Sequence, residues 1–322
     1  LLYYGIVIDI NREAGIAERA IWGSEDSPAS CFDSGPFIRK VIIKIMERIV
    51  NVFTVDFEDW YQGLEIHKVD TWHKFESRIE RNCAKILEIL KTHDVRGTFF
   101  VLGYLAERYP HLIKMIDGLG HEIGSHGYSH TQVFRLTPEG FSSELSRTNE
   151  AVYKAIGKTP IGFRAPIFSI VKESSWALDV LVKNGYRYDS SIYPTLNYRY
   201  GIVKADRFRH ELATESDHRI IEIPVATAKF MKMNLPVGGG AYFRVWPYMV
   251  TKWAFRQLNR QGRPGVFYIH PWELDPEQPR IELPKRLSLT HYHRLASTEK
   301  KLHKLLSNFK FSSMTEVFDL GY

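Results

Sequence analysis

From Val52 onward, apolar runs of strand length alternate with segments whose apolar residues recur at helical spacing, and this alternation constrains the fold more than any other feature. It is the pattern of successive βα units, which lay their strands parallel in one sheet and pack helices outside it. Strands are expected at residues 51–57, 97–102, 121–125, 161–165, 186–190, 219–224 and 265–270, a number close to a barrel count. Between the first two, Phe75, Ile79, Cys83, Ile86, Leu87 and Leu90 share one helical face. Phe141, Leu145, Val152 and Ile156 mark a second helix, with Thr137 as N-cap, Pro138 at its first position and Gly157 just past its end. Ser174 and Gly185 bracket a third. The polar stretch 193–219 and the glycine-bearing stretch 235–247 read as long loops that shape a binding face.

With 44% hydrophobic and 25% charged residues, the chain has the means to bury a large core, which excludes a disordered or collagenous protein. The balance of 43 basic and 37 acidic residues leaves +6, a mild excess that suits an anionic substrate or a membrane surface and gives no indication of nucleic acid. Cys31 and Cys83 stand far apart with no paired spacing, so neither a disulfide framework nor a cysteine zinc site is implied, and a reducing compartment fits. No apolar run reaches 18 residues and no export signal is evident, so a cytoplasmic location is expected. The chain begins with Leu, and residues 1–45 lack a sustained period; they are expected to be an extension ahead of a domain that opens at Met46, the alternative being a helix and strand of that domain.

In a β/α barrel, chemistry gathers at the C-terminal ends of strands. The first expected strand ends in Asp56, Phe57, Glu58 and Asp59, and carboxylates so close repel one another unless a cation or proton relieves them. The third leads into Ser125-His126-Gly127-Tyr128-Ser129-His130, where two imidazoles four apart can meet one divalent ion. His121, ahead of that strand, reads as structural. The fourth ends in Arg164-Ala165-Pro166-Ile167-Phe168, and an arginine aimed into an apolar barrel mouth needs an anion. The seventh ends in His270-Pro271-Trp272-Glu273, a histidine emerging from an apolar run, suited to proton donation. Each block also has a plainer reading, as helix cap, surface histidine or salt bridge; their coincidence at strand ends favours the chemical one.

In this order, from Val52 to about Asp275, the blocks resemble the polysaccharide deacetylases of carbohydrate esterase family four, the NodB-homology group, with SHGYSH and FRAPIF the most specific segments. DFEDW, RAPIFS, YDSSIYP, PVGGGAYFR and HPWELD look like the branch associated with exopolysaccharide and exosortase clusters. The resemblance implies an α/β fold, a distorted (β/α) barrel of about seven parallel strands over residues 46–275, with a branch-specific C-terminal block at 235–322 packed on the same barrel. It implies hydrolysis of the N-acetyl group of an amino sugar, in a polysaccharide, oligosaccharide or lipid-linked precursor, with one divalent metal ion, zinc being the expected one. The substrate partner is then an N-acetylated glycan, with peripheral contact to a membrane-linked glycan as an option and no nucleic acid. Asp56 would be the base, His270 the acid, and Arg164 the residue holding Asp56 ionised and oriented. His126 and His130 would ligate the metal, with Pro166, Phe168 and Trp272 as substrate contacts. Family members commonly place the metal carboxylate directly after the base, where this chain has Phe57, so the third ligand is Asp59 or Glu58; Asp59 is favoured because the loop can turn it inward. Asp189 lacks the tryptophan that follows it in the family pattern, which leaves the carboxylate partner of His270 open. Two other readings remain, a metal-independent hydrolase of cyclic amides on the same barrel and a catalytically dead carbohydrate-binding protein; the latter would need loss of Asp56, His126, His130 or His270, and none is lost.

Overall fold

The computed structural model of the protein describes residues 49–64, 68–195 and 200–321. The expected extension at 1–45 lies outside them.

All seven expected strands form. β1 (Val50–Phe57), β2 (Thr98–Val101), β3 (Glu122–Ser125), β4 (Gly162–Phe163), β5 (Tyr188–Asp189), β7 (Arg219–Glu222) and β10 (Val266–Ile269) run parallel in the order β10-β1-β2-β3-β4-β5-β7. Beyond β7 the sheet gains an antiparallel edge strand, β6 (His210–Ala213). Closure from β7 back to β10 is made by single contacts: Ala226 N donates to Val266 O (3.0 Å) and Tyr268 N to Gly238 O (2.7 Å). The result is an α/β fold, a distorted (β/α) barrel.

Helices α1 (Ile79–Thr92), α2 (Gly103–Arg108), α3 (Pro110–Gly118), α4 (Pro138–Ile156) and α5 (Ala177–Lys183) cover the outside. α1 buries Ile79, Cys83, Ile86, Leu87 and Leu90, as its spacing predicts. In α4, Thr137 accepts from Gly140 N (3.1 Å), Pro138 opens the helix, and Gly157 ends it at φ 71°.

Alternation along each strand decides what points inward. On β1, Phe53, Val55 and Phe57 pack under the helices, while Val52, Thr54 and Asp56 face the barrel interior. The interior is filled by Val52, Phe100, Tyr188, Ile223 and Val266. Gly162 is required there, since a Cβ would lie 1.9 Å from Tyr188 Cζ, and Gly124 yields its space to Phe100.

Two segments expected as loops are not wholly so. The stretch 193–219 contains β6, and 235–247 contains the end of the hairpin β8 (Thr227–Phe230) and β9 (Met233–Pro236) and helix α6 (Gly240–Val245), which is followed by α7 (Tyr248–Arg260). The glycine triplet is a packing turn: a Cβ on Gly239 would meet Tyr268 O at 1.8 Å and one on Gly240 the Tyr268 hydroxyl at 2.5 Å. The chain ends in α8 (Lys285–Tyr292), α9 (Leu295–Asn308), β11 (Lys310–Ser312), which pairs with the start of β1, and α10 (Met314–Phe318). Met314 is fully buried in the barrel interior and closes its floor, where Glu122 accepts from Thr98 Oγ1 (2.6 Å), Tyr188 Oη (2.7 Å) and Thr315 N (3.1 Å).

Candidate metal centre and active site

The inward rows of the strands end in the residues that carry chemistry. Asp56 closes the row of β1, and Arg164 and His126 continue the ladder one residue past β4 and β3, through Arg164 N to Ser125 O (2.9 Å) and His126 N to Val101 O (2.8 Å). Arg164 is wholly buried. Its Nη1 donates to Asp56 Oδ1 (2.7 Å) and Thr54 Oγ1 (2.6 Å), its Nη2 to Ser190 Oγ (2.9 Å), and its guanidinium lies 4.3 Å from the Phe100 ring centroid. Its Nε donates to Ser190 O (3.2 Å), and Asp56 is held by its Oδ1 while Oδ2 faces His270 Nε2 at 4.0 Å.

His126 turns its Nδ1 to Arg164 O (2.7 Å), which fixes the N–H on that nitrogen and leaves the Nε2 lone pair free. Burial pushes this imidazole down to about 4, so it is neutral at physiological pH. The turn to His130 passes through Gly127 at φ 73° and His130 at φ 55°. It is tied from α4 by Glu144, whose carboxylate accepts from Tyr128 N, Ser129 N (both 2.8 Å) and Ser129 Oγ (2.7 Å).

Glu58, and not the favoured Asp59, meets these histidines. One ligand atom each of Glu58, His126 and His130 lie within 4.8 Å of one another, and all three residues are buried. Glu58 continues the alternation of β1 and shares the inward face with Asp56. Asp59 falls on the opposite face, where Oδ1 accepts from Trp60 N (2.9 Å) and Oδ2 from Ser77 Oγ and Arg78 N (both 2.8 Å), anchoring the start of α1. Burial lifts its carboxyl to about 6. The period of two was the available signal; the pull of Ser77 and Arg78, some twenty residues away, was not legible.

The site fits a divalent ion on this chain's own geometry. Glu58 Oε2 is buried and faces His130 Nε2 at 2.8 Å. A carboxylate oxygen and an imidazole nitrogen this close must share a proton or a cation. Burial alone would raise Glu58, but the imidazoles of His130 and His270 hold it down at about 2, so it remains anionic. A carboxylate with two imidazoles is the donor set of open, hydrolytic metal sites.

His270 ends the inward row of β10. Its Nδ1 meets Glu273 Oε2 at 3.0 Å, and its Nε2 points at Glu58 Oε1 (3.5 Å). Burial lowers its pKa, but the Glu58, Glu273 and Asp56 carboxylates prevail and raise it to about 9. Glu273 is the carboxylate partner that the sequence left open; its Oε1 accepts from the buried Arg244 Nε of α6 (2.6 Å). Arg244 in turn donates to Thr290 O (2.7 Å), His291 O (2.9 Å) and His293 O (3.0 Å), satisfying the end of α8. Asp189 faces away, paired with Ser191 Oγ and next to Glu222 across the ladder.

Of the expected substrate contacts, Trp272 donates from Nε1 to Glu58 Oε1 (3.2 Å) and stacks on His270 and His291. Pro166 is buried at the start of a single 3₁₀ turn. Phe168 packs with Tyr193, Tyr200 and Tyr268 into an aromatic wall that reaches His270 through Tyr268. Ile167 and Phe168 both hold positive φ (55° and 52°), a strained pair of non-glycine residues beside Arg164.

Residues 68–188 match the family model for polysaccharide deacetylases, and residues 190–319 match that of a domain of unknown function, DUF3473. The first segment holds His126, His130 and Arg164; Asp56 and Glu58 precede it, and His270 and Glu273 lie in the second. The chain is 35% identical over 96 residues to a peptidoglycan-N-acetylglucosamine deacetylase of Bacillus cereus, which is 30% of this chain and 35% of that protein. It is 43% identical over 74 residues to a peptidoglycan-N-acetylmuramic acid deacetylase of Bacillus subtilis, 23% of this chain and 28% of that one. The matched part thus spans about a third of the length of these relatives. A solved structure from Mycobacterium smegmatis, assigned to the polysaccharide deacetylases, superposes with a TM-score of 0.56 at 19% identity over 84% of this chain and 90% of that one, which shows a shared fold.

Proposed function

We propose that this chain, a member of the polysaccharide deacetylase family through its residues 68–188, is a metal-dependent hydrolase removing N-acetyl groups from amino sugars of a polysaccharide, oligosaccharide or lipid-linked glycan precursor. The observation that carries the reading is the buried Glu58 carboxylate clustered with His130 and His126, set between Asp56 and His270. Glu58, His126 and His130 would hold a divalent ion, zinc by this reading, whose chemistry would be to acidify a water and polarise an acetyl carbonyl. Asp56 is the base: Arg164 pins Oδ1, and Oδ2 remains to take a proton from the attacking water. His270 is the acid, with Nδ1 held by Glu273 and the proton to be donated on Nε2. An amine leaves poorly unless protonated, so this second group is required. The Phe168 N–H already donates to Ala165 O (3.0 Å), and that of Ile167 is the candidate donor to the developing oxyanion. We also read the chain as one of the branch associated with exopolysaccharide clusters, in which the part of the segment after 190 is to supply the acid and its carboxylate support.

Acetate release measured by mass spectrometry across N-acetylated glycans, with and without chelator, tests the reaction. Full activity in metal-free protein would move the assignment to the cyclic-amide hydrolases. Within the deacetylase reading, Asp56→Asn and His270→Ala should each cost about 10² to 10⁴ in rate. An activated ester of the same sugar, whose leaving group needs no proton, should rescue His270→Ala far more than Asp56→Asn; equal rescue would remove His270 from the role of acid.

A further inference from the structure

Residues 223–272 contain no Asp or Glu and seven basic residues, Lys229, Lys232, Arg244, Lys252, Arg256, Arg260 and Arg263. These fifty residues therefore carry +7 of a whole-chain +6, and the remainder nets −1. Arg244 is neutralised by Glu273; among the described residues, Lys229, Lys232, Lys252 and Arg256 form no ion pair. The same segment exposes large apolar side chains: Phe230, Met231 (84% exposed) and Met233 at the β8–β9 tip, and Met249 and Trp253 on α7.

These make one patch. Phe230 packs edge-on against Trp253 (6.4 Å), and Gln257 of α7 clamps the hairpin backbone, its Oε1 accepting from Lys229 N (2.8 Å) and its Nε2 donating to Lys229 O (3.0 Å). Met231 sits at φ 53°, a turn position that sterics reserve for Gly or Asn. A strained turn thus thrusts a methionine into solvent between two lysines.

We propose that this hairpin and the adjoining face of α7 dock the protein on an anionic lipid surface. Met and Phe at the tip offer nothing for a glycan hydroxyl to bond, but they suit insertion among acyl chains, while the surrounding cations complement anionic headgroups. Docking also lies close to the proposed site: the Asn234 side chain of β9 donates to Pro194 O (2.9 Å) and its backbone carbonyl accepts from Thr195 Oγ1 (3.2 Å), on the loop that carries Tyr193 of the aromatic wall. Where the substrate is a lipid-linked glycan, the surface would bring enzyme and substrate together; the docking itself does not depend on the deacetylase reading.

Co-sedimentation of the full chain with phosphatidylcholine vesicles, alone or with about 30% phosphatidylglycerol, tests this. The expected result is binding to the anionic vesicles alone, weakening as salt rises. Each lysine near such a surface contributes about 1 kcal/mol, a factor of roughly five, so Lys229→Gln with Lys232→Gln should weaken binding about 25-fold. Met231→Asp with Met233→Asp should weaken it at least as much. All four side chains are exposed, so melting temperature and hydrolysis of a soluble substrate should not change. No binding, equal binding to neutral vesicles, or binding unaffected by both double variants would overturn the proposal. So would a concentration-dependent dimer, seen by sedimentation velocity, that Met231→Asp with Met233→Asp splits, since the patch would then be a self-interface. Loss of acetate release in every assay with vesicle binding intact would overturn the deacetylase reading and leave the docking standing.

Discussion

Replacing the two neighbouring carboxylates one at a time sets the geometry of the site against the competing placement of its ligand. Glu58→Gln removes the carboxylate that clusters with His126 and His130. Changes outside the ligand set of a metal already cost about 10- to 100-fold in affinity, so loss of the ligand charge itself should cost at least about 100-fold. Asp59→Asn has a different outcome. Its two oxygens accept three hydrogen bonds from Trp60 N, Ser77 Oγ and Arg78 N, and an amide keeps one acceptor oxygen while turning an NH₂ toward donors. A hydrogen bond to a charged group is worth about 1.5 to 3 kcal/mol, but burial lifts Asp59 to about 6, which reduces the benefit of its charge, so a loss of about 2 kcal/mol is expected. For a domain of this size that lowers Tm by roughly 4 to 8 °C. Metal content after dialysis and calorimetric Tm with and without chelator read both effects. Bound metal at 100 times its Kd adds ~2.7 kcal/mol, so chelation should lower Tm in the wild type and in Asp59→Asn and leave Glu58→Gln nearly unmoved. A metal-free Asp59→Asn beside a metal-replete Glu58→Gln would refute the argument from strand alternation.

Met314→Ala, which opens the barrel floor, should cost about 2 to 5 kcal/mol in chemical denaturation without altering metal content. His121 accepts from Gly97 N (3.1 Å) on Nδ1, and burial holds it down at about 4, below its unfolded value. Between these values the unfolded chain binds the proton and the native chain does not, so the stability due to this group, at most about 3 kcal/mol, is complete above pH ~6.5 and is lost as pH falls toward 4. His121→Asn, which keeps an acceptor but cannot titrate, should flatten that part of the stability profile; an unchanged slope would assign it elsewhere. Glu273→Gln strands the buried Arg244 charge and should destabilise by about 3 to 5 kcal/mol. Glu273→Gln combined with Arg244→Met should recover much of that stability while the hydrolysis rate stays low; recovery of both would show that Glu273 serves the fold alone.

Features that repeat along a single segment were legible in the order of the residues. Seven parallel strands and the helices α1 and α4 followed from apolar spacing and from Thr137, Pro138 and Gly157, because strand and helix each impose a repeat on their own residues. The placement of Asp56, His126, Arg164 and His270 at strand ends followed too, since the ends of apolar runs are visible in the chain. Segments that owe their form to a neighbour were decided only by the tertiary structure. β6 and the β8–β9 hairpin alternate weakly and form by pairing, and α6 begins at a glycine because Tyr268 leaves no room for a side chain there. Which carboxylate faces the two histidines was decided in the same way. Glu58 and Asp59 are chemically near-equivalent in sequence, and what separates them is that Ser77 and Arg78 offer donors on one face of the chain while two imidazoles wait on the other. The Glu273–Arg244 pair behind His270 joins residues 29 apart through the end of α8. Such contacts are fixed by which buried donors and acceptors remain unpaired once the barrel closes, and no periodicity within a single segment records them.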